Sequence, residues 1–108
     1  MASIKNLTVD QGTTFSLTLN LSNDDGSEKD LTEYTIASQL RKSYYSNIYT
    51  AFATDKVDLT GEVTISLTAA QTSQLKAGRY VYDIEIASSE ETVRVLEGIV
   101  TVTPEVTR

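Results

Sequence analysis

Hydrophobic and polar residues alternate with a period of two along most of the chain. In the segment TTFSLTLNL, Phe15, Leu17, Leu19 and Leu21 share one face, and threonine, serine and asparagine occupy the other. Alternation of this kind places one set of side chains on each face of an extended strand, so the segment is predicted to be a half-buried strand. Helical periodicity extends over no more than one turn anywhere in the sequence.

Further segments show the same alternation and are also predicted to be strands. In the segment 47–54, Ile48 and Phe52 are expected on the same side. In the last segment the alternation changes phase between Leu96 and Gly98, which predicts a bulge with glycine at the irregular position. The predicted segments are 4–9, 33–41, 47–54, 62–67, 79–87 and 92–102.

One short helical turn interrupts the strands. The segment TAAQTSQL, residues 68–75, lacks alternation, and Thr68 is suited to the N-cap position before Ala69 and Ala70. Leu75 is expected to close this turn against the core. About seven strands with turn residues between them, and a single helical turn, predict an all-β fold, a sandwich or a small barrel.

A tyrosine pair favours the immunoglobulin-like antiparallel sandwich. In AGRYVYDIEI, Gly78 opens a strand, Tyr80 follows two residues later, and Tyr82 occupies the next inward position. Immunoglobulin-like domains place a tyrosine at this corner, and its hydroxyl bonds back to nearby backbone. Gly78, Tyr80, Tyr82 and Gly98 are therefore assigned structural roles, because a tyrosine ring can be buried while its hydroxyl is hydrogen-bonded.

The length fits a single domain spanning residues 1–108, of which residues 103–108, with the only proline, are expected to form an extended tail that leaves the sheet. A chain of this size buries roughly two-thirds of its unfolded surface, so it needs neither disulfides nor a metal. The sequence contains no cysteine and no histidine, which removes the usual nucleophile, general base and metal ligands. We therefore expect no catalysis and no cofactor.

The balance of charge also narrows the class of protein. Fifteen acidic against nine basic residues give a net charge of -6, whereas nucleic-acid binding normally needs a basic surface. The sequence has no apolar run long enough to span a bilayer and no signal peptide at MASIKNLTVD. The chain is thus expected to be a soluble protein, made in the cytoplasm, that binds neither nucleic acid nor membrane.

Two acidic groups are candidates for binding or catalytic sites. An acidic cluster follows the first long strand, but its spacing lacks the closing glutamate of an EF-hand loop, so a solvated loop is the favoured interpretation. Asp83 and Glu85 alternate on the outward face of a strand, which is more typical of a solvated sheet face than of acid–base catalysis. The acidic cluster comprises Asp24, Asp25, Glu28 and Asp30.

The segment RKSYYSNIY is the strongest candidate for a binding surface. Tyrosine and arginine are enriched where proteins contact one another. Aromatic rings beside cations also suit stacking on sugars or on bases, although the acidic net charge weakens the nucleic-acid alternative. One or two of these rings could instead cover the end of the sandwich. The residues predicted to contact a partner are Arg41, Tyr44, Tyr45 and Tyr49, next to Lys42.

Four motifs resemble those of small virion proteins of tailed bacteriophages, related in pattern to the N-terminal domain of baseplate upper proteins. The resemblance covers nearly the whole chain and is most specific in the last two motifs. Glu33 departs from the pattern, which often has glycine there, and the baseplate proteins carry further domains. The motifs are Gly12, Thr14 and Phe15; Asp30, Leu31, Thr32 and Tyr34; Leu67, Thr68, Thr72, Leu75, Gly78, Tyr80, Tyr82 and Asp83; and Glu97, Gly98, Val100, Val102, Pro104, Val106, Thr107 and Arg108.

The resemblance implies a structural component of a phage virion that docks onto other virion proteins, on the tail or baseplate, the neck or the capsid. It implies an immunoglobulin-like sandwich without enzymatic activity, whose partners are other virion structural proteins or further copies of itself. Glu97, Arg108 and the tail TPEVTR are a second candidate contact, because an extended tail can add a strand to a neighbour. The alternative is a carbohydrate-binding or adhesion module that uses the same tyrosines.

Overall fold

The structure is a computed structural model that describes residues 3–23 and 25–106. Asp24 of the acidic cluster, and Thr107 and Arg108 of the tail, lie outside the described residues.

The described residues form nine strands and one short helix. Alternation of buried and exposed side chains is clearest in the strand 62–67, where Val63, Ile65 and Leu67 are buried. The elements are β1 Ser3–Ile4, β2 Leu7–Asp10, β3 Phe15–Asn20, β4 Thr35–Arg41, β5 Tyr49–Ala51, β6 Ala53–Val57, β7 Glu62–Leu67, α1 Ala69–Ser73, β8 Gly78–Ala87 and β9 Thr92–Thr103.

Two sheets pack face to face, so the predicted all-β sandwich is confirmed. Sheet A has the order β1-β9-β8-β4-β5, with β2 also paired to β9, and sheet B has the order β3-β7-β6. In immunoglobulin nomenclature, β4, β8 and β9 correspond to strands C, F and G, and β3, β7 and β6 to B, E and D. One edge departs from the predicted antiparallel pairing, because β1 and β2 run parallel to β9.

Sixteen buried hydrophobic side chains among the described residues form one core between the sheets. Leu31, Val63, Ile65, Ile84 and Val100 have no exposed surface. Burying an aliphatic side chain of this size contributes about 1.5–3 kcal/mol relative to leaving it exposed. The core is thus sufficient to hold the two sheets together without covalent cross-links.

The predicted strand 47–54 is two strands, which belong to different sheets. The chain leaves sheet A after β5, where the Phe52 N–H donates to the Ser38 carbonyl, and enters sheet B at Ala53, which pairs with Ser66. Ile48 precedes β5 and lies in the loop, so it does not share the burial of Phe52. Phe52 is buried against the rings of Phe15 and Tyr82, whereas Ile48 is 84% exposed.

The bulge in β9 lies at Val95, not between Leu96 and Gly98 as predicted. Ile84 pairs with Leu96 and Glu85 with Arg94, so Val95 is the extra residue, and Gly98 pairs in regular register with Tyr82. Gly98 is required for a different reason. A Cβ at position 98 would lie 2.3 Å from the Lys5 carbonyl oxygen. Only glycine allows β9 to approach the N-terminal edge this closely.

The predicted helical turn is present as α1, and Thr68 is its N-cap. The Thr68 hydroxyl accepts the Gln71 N–H at 3.1 Å, and the Gln71 side chain accepts the Thr68 N–H at 2.9 Å, which completes a capping box. The buried Thr72 hydroxyl donates to the Thr13 carbonyl at 2.7 Å and ties α1 to the start of β3.

In the described part of the chain, no helix is long and apolar enough to cross a membrane.

Candidate partner-binding surface

The loop that follows β4, residues 42–49, carries the most exposed aromatic side chains of the described chain, and we call it the tyrosine loop. It joins β4 to β5, whose Tyr49 pairs with Arg41 at the free edge of sheet A. Tyr44 is 70% exposed, Tyr45 95% and Tyr49 50%. None of these three rings covers the end of the sandwich, and Ile48 extends the apolar surface.

Arg41, the last residue of β4, holds the tyrosine loop in place. Its guanidinium donates to the Ser46 carbonyl and, at 3.0 Å, to the Gln39 side chain. It also lies 4.9 Å from the centre of the Tyr49 ring, a cation–π distance. The Ser46 hydroxyl in turn accepts the Ile48 N–H. Arg41, predicted as a partner contact, is half-buried and uses its donors within the chain, whereas Tyr44 and Tyr45 remain open to a partner.

Three further cations surround the same end of the sandwich. The Lys42 ammonium lies 4.8 Å from the centre of the Tyr80 ring, and a Cβ on Gly78 would come within 2.9 Å of it. Lys76 and Arg79 flank Gly78 and are both exposed. Together with Arg41 they give this end four cations, which outnumber the two carboxylates that the strand pairing places there, Asp10 and Glu105, although the chain as a whole is acidic.

The opposite end of the sandwich is acidic. It is formed by the β3–β4 loop, the β6–β7 turn and the β8–β9 loop, which meet through the Tyr34–Glu91 hydrogen bond and the bond from the Leu31 N–H to the Asp58 carbonyl. Lys29 and Lys56 are the basic residues in the described part of this end. Its acidic residues are Asp25, Glu28, Asp30, Glu33, Asp58, Glu62, Glu90 and Glu91.

Two of the carboxylates considered for calcium hold turns in the β3–β4 loop. Asp25 accepts the hydroxyl and the N–H of Ser27, and Asp30 accepts both groups of Thr32. These hydrogen bonds lower the pKa of both carboxyls from the ordinary value. Among the described residues, no group of three or more acidic side chains converges as a metal site would require.

The outward face of sheet A forms a polar depression of about 480 Å³. Arg94 lies across its floor, 3.4 Å from Asp83, 3.9 Å from Glu85 and 4.0 Å from Glu97. Burial, followed by the nearby Glu85 charge, raises the pKa of Asp83. Tyr44 borders the depression, so the tyrosine loop overhangs this face.

The structural tyrosines lie beneath these surfaces. The Tyr80 hydroxyl donates to the Lys76 carbonyl at 2.7 Å, the bond expected of a tyrosine corner. The Tyr82 hydroxyl donates to the Lys5 carbonyl at 2.6 Å, and burial raises the pKa of Tyr82 to about 12. Gly78 adopts a φ of 140°, a region that favours glycine.

The tail is tied to the N-terminal edge as far as residue 105. The Thr103 hydroxyl donates to the Asp10 carboxylate at 2.6 Å, and the Glu105 N–H donates to the Gln11 side chain at 3.1 Å. Val106 is 94% exposed. Glu97, the other residue proposed to act with the tail, lies in β9 beside Arg94 and far from Val106 along the strand.

The tyrosines are evident in the sequence, but the full surface around them is not. Lys76 and Arg79 are more than thirty positions from Lys42, and the antiparallel pairing of β4 with β8 brings them to the same end. The sequence does show that the loops between strands are charged. Which of these loops share an end of the sandwich can be worked out only when the strand order is known.

These features define an all-β sandwich with immunoglobulin-like strand order and an aromatic, basic end. No protein-family model matches the chain, and no curated protein matches it. Its structure is similar to that of InlP from Listeria monocytogenes, with a TM-score of 0.52 and 13% identity over 94% of this chain. It is also similar, with a TM-score of 0.45 and 13% identity over 97% of this chain, to a family 123 glycoside hydrolase from Clostridium perfringens.

The chain spans 28% of the length of the InlP structure and 24% of that of the hydrolase. At such low identity, the likeness to InlP supports the sandwich fold and carries no information about activity.

Proposed function

We propose that this protein is a non-enzymatic docking module of a tailed-phage virion, which attaches to another structural protein through the tyrosine loop. The observation that carries the proposal is the exposure of Tyr44, Tyr45 and Ile48 on a loop that Arg41 holds in place. Rigid, exposed tyrosines lose little conformational entropy on binding and supply large contact areas, which is why they recur at interaction hot spots. The phage assignment rests on the sequence motifs.

The charge around the loop indicates the chemistry of the partner. Lys42 lies in the tyrosine loop, and Lys76 and Arg79 lie at the same end of the sandwich, while most of the described acidic side chains lie at the far end. A partner with an acidic patch would be attracted to the basic end and repelled from the acidic end, so the module would approach in one orientation. We therefore propose an acidic protein surface as the docking partner.

The test is replacement of Tyr44, Tyr45 and Tyr49 by alanine in the phage that encodes the chain. These rings contribute little to the core, so the purified variant should keep the wild-type thermal midpoint within a few degrees. Its copy number in purified particles, measured by quantitative mass spectrometry, should fall at least tenfold. Alanine hot spots of about 2 kcal/mol or more reduce binding by such factors.

Leu59 provides the matched control, since it is 73% exposed at the acidic end of the sandwich. Leu59→Ala should leave incorporation unchanged. Normal incorporation of a folded triple variant would rule out the tyrosine loop as the docking site.

A carbohydrate-binding role is the second candidate, and the position of Tyr44 favours it. This ring borders the depression that contains Gln39, Asp83, Glu85 and Arg94, so it could pack on a sugar whose hydroxyls bond the polar floor. Calorimetric titration of glycans against the wild-type protein and Tyr44→Ala separates the two functions. Saturable binding that Tyr44→Ala abolishes would favour the glycan role over protein docking.

A further inference from the structure

Three of the four sheet edges in the described structure are protected against pairing with another strand. β5 has three residues, β6 carries the charges of Asp55 and Lys56, and the edge formed by β1 and β2 is broken at Lys5 and Asn6. Short length, charge and interruption are the devices that keep exposed edges from pairing. The outer edge of β3 has none of them.

β3 is a regular edge strand that carries no charge and no proline. All six of its residues pair in continuous register with β7, from Phe15 opposite Leu67 to Asn20 opposite Glu62. Phe15, Leu17 and Leu19 pack against the core but are only half-buried, because no strand covers their outer side. This edge is therefore both apolar on its inward face and open along its backbone.

The direction of the backbone groups follows from one hydrogen bond. The Leu21 N–H donates to the Gly61 carbonyl, on the β7 side. Since hydrogen bonding alternates along an antiparallel strand, the N–H and carbonyl groups of Ser16, Thr18 and Asn20 point away from β7. These groups form a row that an added strand can bond.

We propose that β3 is a self-association edge, where two copies of this chain join antiparallel to form one continuous six-stranded sheet. The inference is independent of the tyrosine loop, which lies at the β4–β5 end of sheet A. A strand is the kind of partner that a row of unpaired backbone groups fits. A second copy presents the same uncharged strand with the same alternation.

The alternation fixes the register of the pair. The odd-numbered residues of β3 point inward. Inward side chains of the two copies therefore meet only if each odd-numbered residue lies opposite an odd-numbered residue of the other copy. A two-fold axis at Thr18 meets this condition: Thr18 faces its own copy, Ser16 faces Asn20, and Leu17 faces Leu19. The outward groups of the three even-numbered residues then exchange about six backbone hydrogen bonds, and Leu17 and Leu19 are covered across the seam.

Charge favours the antiparallel arrangement of two copies over a parallel one. The acidic loops follow β3 directly, at Asp25 and Glu28. Antiparallel strands place these loops at opposite ends of the dimer, whereas parallel strands would bring two acidic ends together. The contact strand itself carries no charge, so no like charges of the two copies meet at the seam.

The experiment measures the solution mass of the 108-residue chain by light scattering over a wide range of concentration. The mass should rise towards twice the 11.8 kDa of one chain. Amide exchange should show Ser16, Thr18 and Asn20 protected at least tenfold more at the upper concentration than at the lower. A monomer at every concentration, or a dimer in which these amides exchange as in the monomer, would overturn the proposal.

Thr18→Lys and Thr64→Lys form a matched pair of variants. The two hydroxyls bond each other at 3.0 Å across β3 and β7, so each substitution removes the same bond and adds the same charge on the same face. In the proposed dimer, Thr18→Lys would place two ammonium groups directly opposite each other, whereas position 64 is one strand away from the seam. Thr18→Lys should weaken dimerisation at least tenfold, and Thr64→Lys should change it less than threefold; equal effects would contradict the register.

Discussion

At the scale of single residues, the Lys5 carbonyl is where the N-terminal edge joins the body of the sandwich. The Tyr82 hydroxyl donates to this oxygen, and Gly98 leaves room for it against β9. The neighbouring Asn6 side chain accepts the Ile99 N–H at 3.1 Å. Side chains thus supplement the backbone bond from the Lys5 N–H to the Glu97 carbonyl at the break between β1 and β2, which explains why a tyrosine and a glycine are needed here.

Tyr82→Phe should lower stability and change its dependence on pH. Losing the hydrogen bond should cost about 1 kcal/mol at pH 7. In the wild type, burial raises the pKa of Tyr82 from 10.0 to about 12, so the folded state holds the phenol proton more tightly than the unfolded chain. The stabilisation that comes from this difference in pKa is fully present below pH 10. On the order of 2 kcal/mol of it is lost as the pH rises from 10 through 12.

Urea unfolding at pH 7 and across pH 9–12, followed by circular dichroism, measures both effects. Tyr82→Phe should show a smaller loss of stability between pH 10 and 12 than the wild type. Tyr45→Phe is the control, because this ring is 95% exposed, and it should follow the wild-type curve. A Tyr82→Phe curve parallel to that of the wild type would show that Tyr82 is not the titrating group.

At the scale of elements, the packing of β9 against the N-terminal edge depends on Gly98. Gly98→Ala should destabilise the protein by about 1–3 kcal/mol, because the added Cβ would overlap the Lys5 backbone. The damage should be local. The amides of Lys5 and Ile99, which bond to Glu97 and Asn6, should exchange faster by at least tenfold.

Gly26→Ala is the control for this variant. A Cβ at Gly26 meets no atom within 4 Å, but its φ of 89° is unfavourable for alanine, which costs about 1–2 kcal/mol. Gly26→Ala should therefore lower the global stability. The amides of Lys5 and Ile99 should exchange faster only by the amount that this global loss of stability causes. Wild-type protection of both amides in Gly98→Ala would contradict the account of this junction.

Most elements could be predicted from the sequence because alternation records which face of a strand is buried. It worked for β3, β4, β7 and β8, and the capping residues located α1. It failed where the chain changes sheets at Phe52, because both halves of the segment 47–54 look extended locally. It also misplaced the bulge, since the close approach of Lys5 to Gly98 joins residues about ninety positions apart and leaves no local pattern.

At the scale of the whole molecule, the sandwich is polarised along its length of 45 Å. One end carries the tyrosine loop and four cations beside the carboxylates of Asp10 and Glu105, and the other carries eight described carboxylates beside two lysines. The tyrosine cluster could be predicted from its own sequence, but the polarity could not, because it depends on which loops share an end. Because its two ends differ chemically and its β3 edge is open, the module is suited to binding its partners in a single orientation.

The most direct test of the account is quantitative mass spectrometry of purified particles of the phage that encodes this chain. The proposed docking role predicts the protein in those particles at a fixed copy number per virion, retained through density-gradient purification and high salt. Its absence from particles, while it is abundant in the infected cell, would contradict a virion role.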